Sequence, residues 1–311
     1  MFKYTLDNKR YHTLNYHVKT KYNCKVVKVS LNAGFSCPNM DGTVGYGGCI
    51  YCSKSGSGEF GGDKNKSLLE QFNEIKEKIS KKWPNSKYIA YFQARTNTYA
   101  PLEVLKEKYE SVLNIDNVIG LAIATRCDAI TDETLDYLTE LNNRTNLTIE
   151  LGLQTIHEET SKLINRCHTL LQFETIVKKL QERNIEVVVH IINGLPYETK
   201  EMMIETVKYL NSLNIDGIKI HMLNITKNTT LANMYKENPF HILTKEEYID
   251  IVINQLEYLN PKIVIHRITA DPDPKVLIEP TWLLKKFCLL NDIDKEMKKR
   301  DTYQGVKTDA Y

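Results

Sequence analysis

Three cysteines in one short, glycine-rich segment carry the clearest chemistry in the chain. The segment reads Cys37-Pro-Asn-Met-Asp-Gly-Thr-Val-Gly-Tyr-Gly-Gly-Cys49-Ile-Tyr-Cys52 and follows the first β-branched run. Three cysteine ligands on a 4Fe-4S cluster leave one iron without a protein ligand. That iron is open to a substrate or cofactor, unlike the irons of a closed four-cysteine electron-transfer site. Gly42, Gly45, Gly47 and Gly48 let the backbone pass close to a bulky cluster and aim N–H groups at its sulfides. The competing reading of the same thiols is a zinc site completed by a fourth ligand, since Cys-x-x-Cys is a frequent zinc half-site. No second Cys-x-x-Cys is present, and Cys24, Cys127, Cys167 and Cys288 are isolated, as small packing residues are.

Other candidates sit on strand-like runs. Glu150, Gly152 and Gln154 are spaced two apart, so all three point to one face of a strand. If that face lines an interior, its polar groups need bonded partners. His190, Lys219, His221 and Arg267 fall on later runs and are candidates to face a substrate; a lone strand histidine is more often structural than catalytic.

The elements that must position these residues alternate. Strand signals lie near Lys25 to Leu31, Tyr88 to Gln93, Val118 to Thr125, Leu147 to Gln154, Ile185 to Asn193, Gly217 to Met222 and Lys262 to Ile268. Between them run amphipathic, helix-length segments, the pattern of repeated βα units and a parallel sheet. Helix starts are expected at Pro101, at Thr131 and at Thr199, where a first-turn proline or a hydroxyl cap precedes an apolar stripe. Several strand runs are apolar on both faces, as in a sheet or barrel covered by helices. The expected organisation is a basic and aromatic extension over 1–23, a core over 24–270 and a C-terminal extension over 271–311. Asp271 to Pro280 and Trp282 are expected to form a lid or wall over the site.

Composition bounds the class. With 311 residues, 42% of them apolar, the chain can bury a sizeable core. No apolar run approaches the roughly 20 residues of a membrane helix, and the first residues lack the pattern of a secretory signal. Seven cysteines, an odd number, argue against a disulfide framework and for reduced thiols. A cytoplasmic protein without a membrane partner is expected. The net charge is only +2, yet Asn8 to Met40 holds Lys9, Arg10, Lys19, Lys21, Lys25 and Lys28 with no Asp or Glu.

On these motifs the sequence resembles the radical S-adenosylmethionine (SAM) superfamily. The core is similar to the catalytic subunit of Elongator and to the oxygen-independent coproporphyrinogen oxidases. The usual Cys-x3-Cys-x-aromatic-Cys signature is widened to an eleven-residue first gap, with Tyr51 as the aromatic residue. Tyr91-Phe-Gln-Ala-Arg-Thr-Asn-Thr-Tyr-Ala-Pro101, Ala124-Thr-Arg-Cys-Asp128, Glu150-Leu-Gly-Leu-Gln154, Ile164-Asn-Arg-Cys-His168 and Asn193-Gly-Leu-Pro196 follow in the family's order. Cys127 stands where the family usually has Pro, and Cys167 where it has Gly.

The resemblance implies an α/β fold, a partial (β/α)6-type TIM barrel of six strands or slightly more, with short terminal extensions. It implies a 4Fe-4S cluster on Cys37, Cys49 and Cys52, and SAM contacted by Gln93, Glu150, Gln154 and Arg166. It also implies an outside electron donor of flavodoxin or ferredoxin type.

Three functions stay open. The first is a radical SAM enzyme on RNA, with tRNA wobble uridine suggested by the Elongator likeness and by lysines interleaved with Tyr11, Tyr16 and Tyr22. The others are a radical SAM enzyme on a small metabolite or protein, and a zinc-stabilised barrel with a binding role.

Overall fold

Seven strands, β1 (Val26–Leu31), β2 (Lys87–Phe92), β3 (Val118–Thr125), β4 (Asn146–Gln154), β5 (Glu186–Asn193), β6 (Gly217–Met222) and β8 (Val264–Arg267), form the main sheet. They pair in parallel in the order β1-β2-β3-β4-β5-β6-β8. This curled, open sheet is a partial β/α barrel, as expected. A computed structural model describes residues 2–3, 9–53, 55–56, 58 and 61–308. Residues 1 and 4–8 of the expected N-terminal extension, and 309–311 of the C-terminal one, lie outside the described residues.

The helices are α1 (Leu14–Tyr22), α2 (Leu68–Lys82), α3 (Leu102–Leu113), α4 (Asp132–Arg144), α5 (Glu158–Leu163), α6 (Leu170–Gln181), α7 (Lys200–Ser212), α8 (Thr230–Glu237), α9 (Lys245–Tyr258) and α10 (Lys286–Lys299). Thr131 and Thr199 cap α4 and α7 with their hydroxyls. Pro101 sits one residue earlier than a first-turn proline, at the cap of α3, with no side-chain bond. Ser67 with Glu70, Thr169 with Gln172 and Thr244 with Glu247 form reciprocal capping boxes on α2, α6 and α9.

The main apolar core lies between the helices and the outer face of the sheet. Leu121 and Ile123 of β3, Leu151 and Leu153 of β4, and Val187, Val189 and Ile191 of β5 point there. Alternate residues therefore face the lumen. From β3 these are Gly120, Ala122 and Ala124, which leave that wall low.

The lysine-rich N-terminal stretch is ordered. Thr13 caps α1, Asn23 closes it in the left-handed conformation at φ 52°, and Thr13 bridges in parallel to Ile265 of β8. Its cations are largely engaged. Lys9 pairs with Asp294, and Arg10 with Asp301 at 2.9 Å. Lys25 donates to Asn15 at 2.8 Å and lies over the Trp83 ring. Lys28 points into the barrel, which leaves Lys19 and Lys21 as the exposed pair at the end of α1.

At the other end, β9 (Leu277–Glu279) pairs antiparallel with β7 (Ile225–Thr226). Trp282 donates to the Leu243 carbonyl at 3.0 Å and packs on Tyr248, so it fastens this segment to the helical layer. Among the described residues no helix is long and apolar enough to cross a membrane.

Candidate active site

The cysteine segment leaves the C-terminal end of β1 and crosses the mouth of the barrel. Asn39 and Asn165 fasten it to the turn after α5: Asn39 Nδ2 donates to the Asn165 carbonyl at 2.6 Å, and Asn165 Nδ2 to the Gly48 carbonyl at 2.8 Å. The Ile50 N–H donates to the Ile164 carbonyl, and the Leu231 N–H of α8 to the Ile50 carbonyl. Gly45 has no room for a side chain, since a Cβ there would come within 2.3 Å of Asn39 Oδ1 and 2.7 Å of Cys167 Sγ.

Cys49 and Cys52 share a tight turn, the Cys52 N–H donating to the Cys49 carbonyl at 2.9 Å. Asn39 Nδ2 lies 3.6 Å from Cys49 Sγ, and the Arg126 guanidinium is close enough to act electrostatically on Cys37 and Cys49. Burial pushes the Cys49 thiol up, and Arg126 pulls the other way. Asn39 Oδ1 is buried with no hydrogen-bond partner.

This donor set fits an iron-sulfur cluster. Cys37 and Cys49 lie near enough to act on one another, and Cys52 shares the turn of Cys49. Each cysteine of a cubane cluster binds its own iron, and three leave one iron open. A guanidinium beside the thiols suits the negative charge of such a group.

Beneath the mouth, the lumen holds a buried polar network around Glu150. Lys28 Nζ lies 2.5 Å from Oε1; the Tyr91 hydroxyl donates to Oε2 at 2.8 Å, His190 Nε2 lies 2.7 Å from it, and Lys219 pairs with the same oxygen. Lys219 also donates to the Tyr91 oxygen at 3.0 Å. An ionised carboxylate only accepts, so His190 carries its proton on Nε2. Burial by itself would raise the Glu150 carboxyl, but Lys219, Lys28 and His190 hold it well below the usual carboxylate range. Burial pushes Lys219 down to about 7 against the pull of Glu150, with Lys28 adding to the fall. Burial and Lys219 bring His190 down to about 4.

Strand register makes this cluster: Gly152, His190, Lys219 and Arg267 stand in one row across β4, β5, β6 and β8.

The four residues expected at SAM divide into two pairs. Gln93 directly follows β2 and Gln154 ends β4, both at the mouth and partly exposed, Gln154 at φ 68°. Glu150 is already surrounded by four donors. Arg166 is 1% exposed and tied to backbone, with Nη1 donating to Leu153 and Thr155 at 2.7 and 2.6 Å and Nε and Nη2 donating to His168 at 3.2 and 3.0 Å. Both are engaged within the protein.

Lys28, Tyr91 and Arg126 are the residues that sequence reasoning did not place here. The signal for Lys28 is its alternation with Val27, Val29 and Leu31, which marks a lysine on the inner face of a strand.

With this geometry in view, known proteins are informative. The model of the Radical SAM superfamily matches residues 44–210, and that of the Radical_SAM C-terminal domain matches 215–299. The chain belongs to the radical SAM superfamily. Cys49 and Cys52 lie within the matched stretch and Cys37 just ahead of it. YtqA of Bacillus subtilis is 49% identical over 304 residues, covering 98% of this chain and 94% of YtqA. A tRNA uridine(34) acetyltransferase of Methanocaldococcus infernus is 28% identical over 186 residues, 58% of this chain and 34% of that protein. The structure of M. infernus Elp3 lacking its N-terminus shares the fold, with a TM-score of 0.70 at 18% identity over 90% of this chain and 64% of that one. Membership makes the chain an enzyme of the radical SAM kind and implies SAM and a 4Fe-4S cluster.

Proposed function

We propose that this protein cleaves SAM reductively with a 4Fe-4S cluster held by Cys37, Cys49 and Cys52, and acts on a substrate whose reacting end enters the polar lumen. One observation carries the reading: the three-cysteine loop is fastened across the mouth of a barrel whose interior holds a buried charged network. When bound, cluster and SAM together supply a one-electron cleavage that yields a 5′-deoxyadenosyl radical.

The chain's own residues do the rest. Arg126 and the Asn39 amide stand beside the thiols, and in this reading Gln93 and Gln154 at the mouth orient the SAM methionyl and ribose groups. Arg166 fixes the backbone at the end of β4, and Glu150 holds the inner cations in place. A small electron carrier of flavodoxin or ferredoxin type supplies the electron in this reading. The exposed side chains of Met40, Val44 and Tyr46 leave the outer side of the loop open to it.

Anaerobic purification tests the proposal. Brown protein that absorbs broadly at roughly 400 nm and releases 5′-deoxyadenosine from SAM with a strong reductant supports it. Colourless zinc protein that leaves SAM intact refutes it.

A tRNA substrate is the second reading. Similarity to the tRNA uridine(34) acetyltransferase favours it, and Lys19 and Lys21 are both exposed in the last turn of α1. The other cations of that stretch are paired or buried, so phosphate contact would fall on few residues.

A further inference from the structure

We propose that the barrel lumen contains an oxyanion site, formed by Lys28, Lys219, His221 and His266 around Glu150, which anchors a carboxylate or phosphate group of the substrate. The inference deepens the reading above and rests on it only in placing substrate in the lumen.

Charge is the first argument. Glu150 there meets two lysines, Lys28 and Lys219, and Arg267, itself paired with Asp271 at 3.2 Å, stands in the strand row of Lys219. Little solvent reaches the inner groups to screen this excess, the Lys28 side chain being 18% exposed and Lys219 10%. An anion entering the lumen therefore meets an unbalanced positive field. The same excess disfavours a cationic ligand or a bare metal ion.

Unused hydrogen-bonding capacity is the second. His221 Nε2 and His266 Nδ1 are buried and have no partner in the protein. Buried polar atoms are normally bonded, so two orphans on neighbouring strands ask for a ligand. His221 lies beside His190, with ring centroids 5.3 Å apart.

Shape is the third. A Cβ at Gly217 would come within 2.7 Å of His266 Nε2 and 3.2 Å of Val188 Cγ2, so a glycine there lets the His266 ring pack against the backbone of β6 and fixes its place in the lumen. The opposite wall is the low one of Gly120, Ala122 and Ala124.

The groups facing Lys219 are Lys28, Tyr91, Glu150, His190, His221 and Arg267. Burial and neighbouring cations depress Lys219, His221 and His266. A bound anion offsets both effects, so its binding draws in protons.

The test is calorimetric titration of inorganic phosphate and of acetate into anaerobic, cluster-loaded protein at pH 7.5, in two buffers of different protonation enthalpy. We expect saturable binding of at least one anion with proton uptake; the preferred anion tells a phosphate end from a carboxylate end. Lys219→Met and His221→Ala each lower its affinity tenfold or more, Lys219→Arg retains it, and iron content and SAM affinity stay unchanged. His221→Ala removes no bond to Nε2, so it decides the matter if Lys219→Met fails to fold. No saturable binding of either anion, or binding that survives His221→Ala, overturns the site. Wild-type protein that binds anion but neither iron nor SAM overturns the enzymatic reading instead and leaves the anion site standing.

Discussion

Cys49 and Lys219 are the residues on which the proposals turn most sharply. Cys49→Ala removes one of three protein ligands and is expected to abolish bound iron and 5′-deoxyadenosine formation. Cys127→Ala, at a buried core position, keeps both; iron analysis with chromatography of the SAM products checks the pair. Lys219 predicts a pH effect on stability. Its folded value is about 7, below its ordinary 10.5, so between these values the unfolded chain binds the extra proton and stability rises with pH. His190, His221 and His266 titrate below this window, and Tyr91 and Glu150 outside it. In Lys219→Met the rise in unfolding free energy between pH 7.5 and 10 should flatten, read by urea denaturation at each pH. The inner face of β4 was legible from the period of Glu150, Gly152 and Gln154. Its partners were not, because Lys28 and Lys219 stand far away in the chain and meet Glu150 only once the register is set.

At the scale of elements, all seven sheet strands were legible to within a residue or two. Strands buried on both faces read as dense β-branched runs, and hydroxyl caps marked α4 and α7. The helix α1 was not legible, since only Val18 of it is buried and there is no apolar stripe. What holds this end is a tie between termini. The Gln304 side chain accepts from the His12 N–H at 2.8 Å and donates to the carbonyls of Asn260 and Ile263 at 2.9 Å each. Gln304→Ala orphans these buried groups, each worth about 1–3 kcal/mol, and is expected to lower stability by about 2 kcal/mol or more in chemical denaturation. Thr169→Ala, which opens one capping box, should cost only about 1 kcal/mol.

For the whole molecule, the tRNA reading makes an ionic-strength prediction. If tRNA is bound through Lys19 and Lys21, affinity falls from low to physiological salt with the shallow slope of few phosphate contacts, and charge reversal at both removes most of that slope. Filter binding across a salt series checks this, and a steep slope untouched by the reversal would place the contact elsewhere.

The sheet is open, and its two outer strands, β1 and β8, come from opposite ends of the chain. Ile265 of β8 takes its outer partner from residues 12–13, its N–H donating to the His12 carbonyl at 2.8 Å. During synthesis residues 12–13 leave the ribosome long before β8 exists, so this seam closes only when about 250 further residues have been made. Until then the growing margin of the sheet is a bare edge, open to pairing with other nascent chains. The bond between these distant segments is thus a late folding event, and shielding the unfinished edge becomes a requirement on the cell that produces the protein.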